Sequence, residues 1–339
     1  VTLSVLSSAL PLAAPLHTTK HGAAHNSHLK ARLDRQKTMI VDIHTHTPQF
    51  KDEVPADKVV MNTKWRPDRA VKATTSWADY LEAQKPASKS IVFNIAWQPG
   101  YGHDRLAGGD SADSSWYANN GRGNYNDATA TFVRAYPDKL IGFMALHPFD
   151  GDVMDEFERC RTELGMKGVK LGANYQVFDP LETRALAIYE AAQKHGLPVL
   201  FHQGTSPVRN APIRYSHPLV TDEIAIRYPD LKIIMAHLGH PWQVDTAVVV
   251  RKHPNVYADM SANFYRPYSF WEQMVKAIEW NITDKILFGT DYPVTTMQES
   301  IDAFRNINRI VEGTNLPRIP EEIIEGIIHR DSLALLGLE

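Results

Sequence analysis

The chain has 339 residues, with 36 basic against 39 acidic side chains, so its formal net charge is −3. Apolar residues make up 43% and charged ones 22%, which excludes a disordered or collagen-like chain and fits a globular one. The charge balance argues against a general nucleic-acid binder. The single cysteine, Cys160, excludes an internal disulfide and a thiolate zinc cage.

The longest apolar run, residues 1–16, is interrupted by Ser7, Ser8, Pro11 and Pro15. A spanning helix needs about 20 mostly apolar residues, so no membrane span is expected. The run ends Ala-rich but lacks a basic start, so export is a minor reading beside a cytoplasmic location. Residues 17–38 are polar and basic, with His17, His21, His25 and His28 at helical spacing. Such a tract can bind metal, but a solvated leader or an over-extended start is the preferred reading of residues 1–38. One domain is expected over 39–339.

From Met39 onward, short apolar runs alternate with amphipathic stretches. Strands are predicted at Met39–Ile43, Ser90–Ala96, Leu140–Leu146, Gly168–Leu171, Pro198–His202, Lys232–His237, Val256–Met260 and Lys285–Thr290. Runs of this length suit strands covered on both faces. Helices are predicted at Trp77–Gln84, Asn126–Tyr136, Val153–Leu164, Glu182–His195, Pro218–Tyr228, Val244–Lys252, Ser269–Trp280 and Gln298–Val311. Eight alternating pairs imply βαβ units and a (β/α)8 TIM barrel. AQKHGLPV, RYPDLKII, YPDKLI and HPNVY punctuate the helix-to-strand turns. A Gly-, Ser- and Asp-rich excursion, 97–124, follows the second strand and belongs on the barrel's top face, as a lid or a disordered loop.

Polar residues collect at the strand ends. Asp42, His44 and His46 close strand 1; Lys170 closes strand 4, His202 strand 5 and His237 strand 6, and Asp291 follows strand 8. Barrel enzymes place catalytic groups at these ends. A lone buried histidine is usually a satisfied core residue, but so many polar groups at equivalent positions would each need a partner. His44 and His46, two apart, share one face of a strand at about 6.6 Å and can converge on one cation at about 2.0–2.1 Å. Imidazole and carboxylate without thiolate suit zinc, manganese or iron in a reactive site.

Taken together, DIHTH, the lysine of GVKL, FHQG, AHLGHPW and FGTDYP resemble the amidohydrolase superfamily. The resemblance runs from Met39 to the C-terminus and is strongest to the branch that contains aminocarboxymuconate-semialdehyde decarboxylase. It implies that His44, His46, His202 and Asp291 hold one divalent metal, most simply zinc. It also implies that Asp291 shuttles a proton and that His237 activates or protonates the reacting group. A metal-bound water reaches a pKa near ~7, and imidazole and carboxylate suit the accompanying proton transfers. Many decarboxylases of this branch carry Glu in place of the first histidine, so His44 leans toward the hydrolase or semialdehyde-decarboxylase side.

Lys170 has three readings: a carboxylated bridge between two metals, an ammonium that binds a substrate carboxylate, or a partner of Asp42. One metal with an uncarboxylated Lys170 is preferred. Arg209 and Arg266 are candidate carboxylate clamps, against the reading of solvated loop residues. Trp242 and Tyr292 are candidate pocket walls, against plain packing. His240 is read as supporting His237, and Arg330–Gly337 as the helix that closes the barrel. The expected function is metal-dependent hydrolysis of a small organic acid, lactone or amide. The alternative is non-oxidative decarboxylation of a carboxymuconate-type or aromatic acid, and a metal-dependent nuclease is remote. The expected partner is a small-molecule substrate, with neither nucleic acid nor membrane; a homodimer is compatible with the sequence.

Overall fold

The computed structural model describes residues 39–96 and 124–338. The histidine tract at 17–28, the rest of the leader and the excursion at 97–123 lie outside them.

Among the described residues, eight parallel strands run in chain order around a barrel. They are β1 (Val41–His46), β2 (Lys89–Phe93), β3 (Leu140–Gly142, continued by Met144–Ala145), β4 (Val169–Leu171), β5 (Val199–Phe201), β6 (Ile233–Met235), β7 (Val256–Asp259) and β8 (Ile286–Leu287). Pairing is parallel from β1 through β3 and from β3 through β8. The ring closes where Ile43 N–H donates to Phe288 O at 3.1 Å and His46 N–H to Tyr292 O at 3.0 Å. Helices α1 (Trp77–Ala83), α2 (Asn124–Ala135), α3 (Val153–Thr162), α4 (Ala173–Gln176), α5 (Thr183–Lys194), α6 (Pro218–Arg227), α7 (Gln243–Lys252), α8 (Pro267–Glu279) and α9 (Met297–Arg305) fill the connections. They coincide closely with the predicted helices, apart from the four-residue α4.

Strand alternation sorts side chains into two layers. Val199, Phe201, Ile233 and Met235 face the helices and join the outer core. Leu200 and Ile234 face inward with Val41, Ile43, Ile91, Phe93, Phe143 and Leu287. Lys170 pairs in register with Leu200, which pairs with Ile234, so it is the charged member of an inward-facing layer. The bottom of the barrel is closed by the last helix, α11 (Ser332–Leu336), after α10 (Glu321–Ile328). Its Leu333 and Leu336 pack into the inward layer, as expected from the RDSLALLG segment.

The first strand carries an irregularity that decides the site. Asp42 pairs with Ser90, but Thr45 pairs with Val92; three residues on β1 span two on β2, a bulge. Below it, Val41 and Ile43 point inward, while Asp42 accepts from Thr290 N–H at 3.0 Å and Thr290 Oγ1–H at 2.6 Å. Above it the parity is reversed. Thr45 Oγ1–H donates outward to Ile91 O at 2.7 Å, and His44 and His46 lie within 5.1 Å, ring to ring, of inward-facing Phe93.

Candidate metal centre

The bulge brings His44 and His46 to the top of the barrel interior, and β8 delivers Asp291 to them. Gly289 permits this approach, since a Cβ there would lie 3.0 Å from His44 Cβ. Asp291 sits in the left-handed region at φ 62°, where Asp is among the tolerated side chains. Its N–H donates to His44 O at 2.8 Å. Its Oδ1 lies 3.1 Å from His46 Nε2 and 3.3 Å from His44 Nε2. Burial opposes charge on Asp291, but the His44 and His46 rings beside it hold its carboxyl well below the usual range.

Lys170 Nζ lies 3.3 Å from His44 Nε2 and 4.6 Å from the centre of the Phe93 ring. Burial pushes its pKa down to about 8, with Asp291 and Asp259 opposing. The ammonium is therefore still charged at neutral pH. Asp42 faces Thr290 on the other side of β1, so the expected alternative of a Lys170–Asp42 pair is not formed. Asp42 itself is pushed up to about 6 by burial, against its hydrogen bonds from Thr290 and His44.

His202 and His237 meet at 3.1 Å, Nδ1 to Nε2. His202 Nε2 faces Thr205 O at 3.2 Å, and His237 Nδ1 faces Ser261 O at 3.2 Å. A carbonyl only accepts, so these two nitrogens carry the protons. Two lone pairs are then left facing each other, an arrangement that a cation beside them satisfies. Burial lowers the pKa of both rings, His237 to about 4, so neither readily supplies that cation as imidazolium. His237 is also in the left-handed region, at φ 61°, a conformation that costs about 1–3 kcal/mol and is often found at functional sites. His240 accepts from Gln273 Nε2–H at 3.2 Å, and burial together with Arg266 pushes it to about 4.

Among the described residues, two trios have ligand atoms mutually within 4.8 Å: His44–His46–Asp291 and His44–His237–Asp259. The first fits a divalent cation in chemistry and spacing, as two imidazoles and an ionised carboxylate. His202 lies outside that trio, turned toward His237. Of the remaining sequence candidates, Arg266 stacks on Tyr265 at 4.4 Å and donates to Ala262 O at 2.7 Å, beside His240. Arg209 is exposed on the loop after β5. Trp242 packs at a tilt against His217, ring centres 4.7 Å apart, near the start of α7. Tyr292 departs from the expectation of a pocket wall. It is 4% exposed and packs outside the barrel with Tyr80, Val92 and Phe132, because the residue after Asp291 faces the helices.

Three site residues escaped the sequence reading. Asp259 closes β7 and Ser261 follows it; Tyr175, on α4, packs at a tilt against His202, ring centres 4.5 Å apart. Asp259 carried the signal used at the other strand ends, a carboxylate after an apolar run. His147, after β3, shows that position alone is insufficient. It donates to Gln176 O at 2.9 Å and accepts from Phe149 N–H at 3.1 Å, a satisfied core histidine.

A parallel barrel with imidazoles, a carboxylate and a buried ammonium at its C-terminal mouth defines a metal-dependent barrel enzyme. The chain belongs to the amidohydrolase family, whose profile matches residues 41–338. It is 26% identical over 231 residues to the gamma-resorcylate decarboxylase of Polaromonas sp. strain JS666, covering 53% of this chain and 68% of that protein. In structure it resembles an uncharacterized TIM-barrel protein from Bordetella bronchiseptica, with a TM-score of 0.61 and 19% identity over 88% of this chain and 99% of that one. It also resembles a dihydroxybenzoic acid decarboxylase from Polaromonas sp. JS666, solved with manganese and the inhibitor 2-nitroresorcinol. There the TM-score is 0.59 at 19% identity, over 89% of this chain and 97% of that one. No helix among the described residues is long and apolar enough to cross a membrane.

Proposed function

We propose that the protein is a metal-dependent, non-oxidative decarboxylase of a hydroxylated aromatic acid. The observation that carries this reading is the His44–His46–Asp291 trio with the Lys170 ammonium 3.3 Å from His44. A cation beside a metal-binding trio suits an anionic substrate, and the similarity to gamma-resorcylate decarboxylase favours loss of carbon dioxide over hydrolysis. This reverses the order of the two activities expected from sequence.

His44, His46 and Asp291 would hold the metal, and His202 would join them through the nitrogen now turned toward His237. When bound there, manganese or zinc would supply a positive charge that favours ionisation of a substrate hydroxyl beside the carboxylate. Lys170 pairs with the carboxylate, and Arg266 bounds the outer side of the site. Asp291 takes the proton released by the hydroxyl and returns it to the ring carbon bearing the carboxylate. The carbon–carbon bond then breaks, its electron pair returns to the ring, and carbon dioxide leaves. The phenolate product takes a proton from water. His237, through Nε2, orients the reacting hydroxyl. The reaction needs no partner beyond a small molecule, and a cytoplasmic location fits it.

The test is to load metal-stripped protein with manganese or zinc and offer dihydroxybenzoates beside lactones. Metal-dependent release of carbon dioxide from a dihydroxybenzoate is expected. Lactone opening without decarboxylation assigns the hydrolase reading instead.

A further inference from the structure

Asp259 lies at the end of β7, is fully buried, and has no role in the sequence of steps above. Its carboxylate is surrounded by donors. Oδ1 accepts from His237 N–H at 3.1 Å, from Ser261 N–H at 2.9 Å, and from the Ser261 hydroxyl. Oδ2 faces His44 Nδ1 at 2.9 Å. An ionised carboxylate only accepts hydrogen bonds, so this contact fixes the proton of His44 on Nδ1. The lone pair is left on Nε2, the nitrogen turned toward Asp291 and Lys170.

The same group holds the turn that carries His237. Its Oδ1 receives the N–H of a residue in the left-handed region. The Ser261 hydroxyl, once donated to Asp259, accepts from His237 Nδ1–H at 2.9 Å. That proton position agrees with the one required by the Ser261 carbonyl.

We propose that Asp259 is a positioning residue that sets the tautomer of His44 for metal binding and, through Ser261, aims His237. It rests on the metal-dependent reading of the first trio. Asp259 could instead be a ligand in the second trio, with His44 and His237. Against this, its oxygens are already engaged by four donors, and His44 Nδ1 and His237 Nδ1 point protons at acceptors.

Asp259→Asn separates these roles. Asn keeps an oxygen for the two backbone N–H groups, but turns an NH2 donor toward His44 Nδ1. His44 must then carry its proton on Nε2, where the metal should bind. Manganese titration of metal-stripped wild type and variant by calorimetry is the measurement. Affinity is expected to fall about 10–100-fold, the usual effect of losing an outer carboxylate partner, with stoichiometry unchanged. Equal affinities overturn the proposal and leave Asp259 as a backbone anchor. Loss of one ion of two, with the other site unaffected, overturns it in favour of a second cation site.

A measurement on metal-free wild type keeps the proposal testable should the variant not fold. Nitrogen-15 NMR of histidine-labelled protein, with His44 assigned by difference to His44→Gln, reads the tautomer directly. A proton on Nδ1 is expected; a proton on Nε2 overturns the proposal. Wild type that binds no manganese or zinc refutes the metal-dependent reading, while the tautomer still decides whether Asp259 positions His44.

Discussion

Replacing Asp291 by Asn separates chemistry from architecture. Asp before Tyr-Pro is also a plausible helix cap on sequence grounds. The helix that follows is capped by Thr296, whose side chain accepts from Glu299 N–H at 3.3 Å. Asp291 instead turns its carboxylate to His44 and His46, at 3.3 and 3.1 Å. Asn matches its size, keeps one accepting oxygen and tolerates φ 62°. The backbone bond from residue 291 to His44 O is unaffected. The stability cost is therefore that of weakening one charge-assisted hydrogen bond, with His46, about 1–2 kcal/mol, or a few degrees in Tm for a chain of this size. The effect on function is much larger. General acid–base groups contribute about 10²–10⁴-fold, and loss of a charged metal ligand adds to that. Turnover of carbon dioxide is expected to fall at least ~100-fold with a cooperative melt retained. Steady-state rates on the best dihydroxybenzoate, beside thermal melting of the same samples, make the test. Near-normal turnover in Asp291→Asn removes this residue from the proton path and refutes the proposed chemistry.

Lys170→Met removes a buried ammonium held down at about 8. Against the ordinary 10.5, this shift corresponds to about 3 kcal/mol at ~1.4 kcal/mol per unit. A folded value below the unfolded one makes the penalty full below about pH 8 and absent above about 10.5. The metal-free variant is thus expected to gain about 1–3 kcal/mol at pH 7 in urea melts and little at pH 10.5; an equal gain at both refutes it. The same variant, loaded with metal, should show weakened substrate binding, and removing bicarbonate should leave wild-type metal stoichiometry unchanged. Leu336→Ala opens a void under the barrel floor, where Leu336 is fully buried. A loss of about 2–5 kcal/mol in denaturant melts is expected, with metal affinity unchanged; a loss below ~0.5 kcal/mol would mean that α11 does not close the floor.

The alternation of apolar runs with amphipathic stretches determined the barrel, because each parallel strand is covered on both faces and each helix on one. Residue chemistry at the strand ends determined His44, His46, Lys170, His202, His237 and Asp291 as candidates, and all lie at the C-terminal mouth. Tertiary structure alone decided which way they face. A one-residue bulge between Asp42 and Thr45 reverses the parity of β1. Asp42 is thereby turned outward to Thr290 and His44 inward, although they lie two apart on one strand. Nothing in DIHTH signals that insertion, since a bulge is defined by the register with β2. Partnership was equally hidden. Asp259 and Ser261 meet His44 across 215 and 217 residues of chain, and His202 meets His237 across 35. Tyr292 shows the same limit, because its neighbour Asp291 enters the site while its own ring packs against Tyr80 outside the barrel. Sequence sets which groups stand at the rim; the register of the closed sheet, fixed by pairing between distant segments, sets which of them share a space.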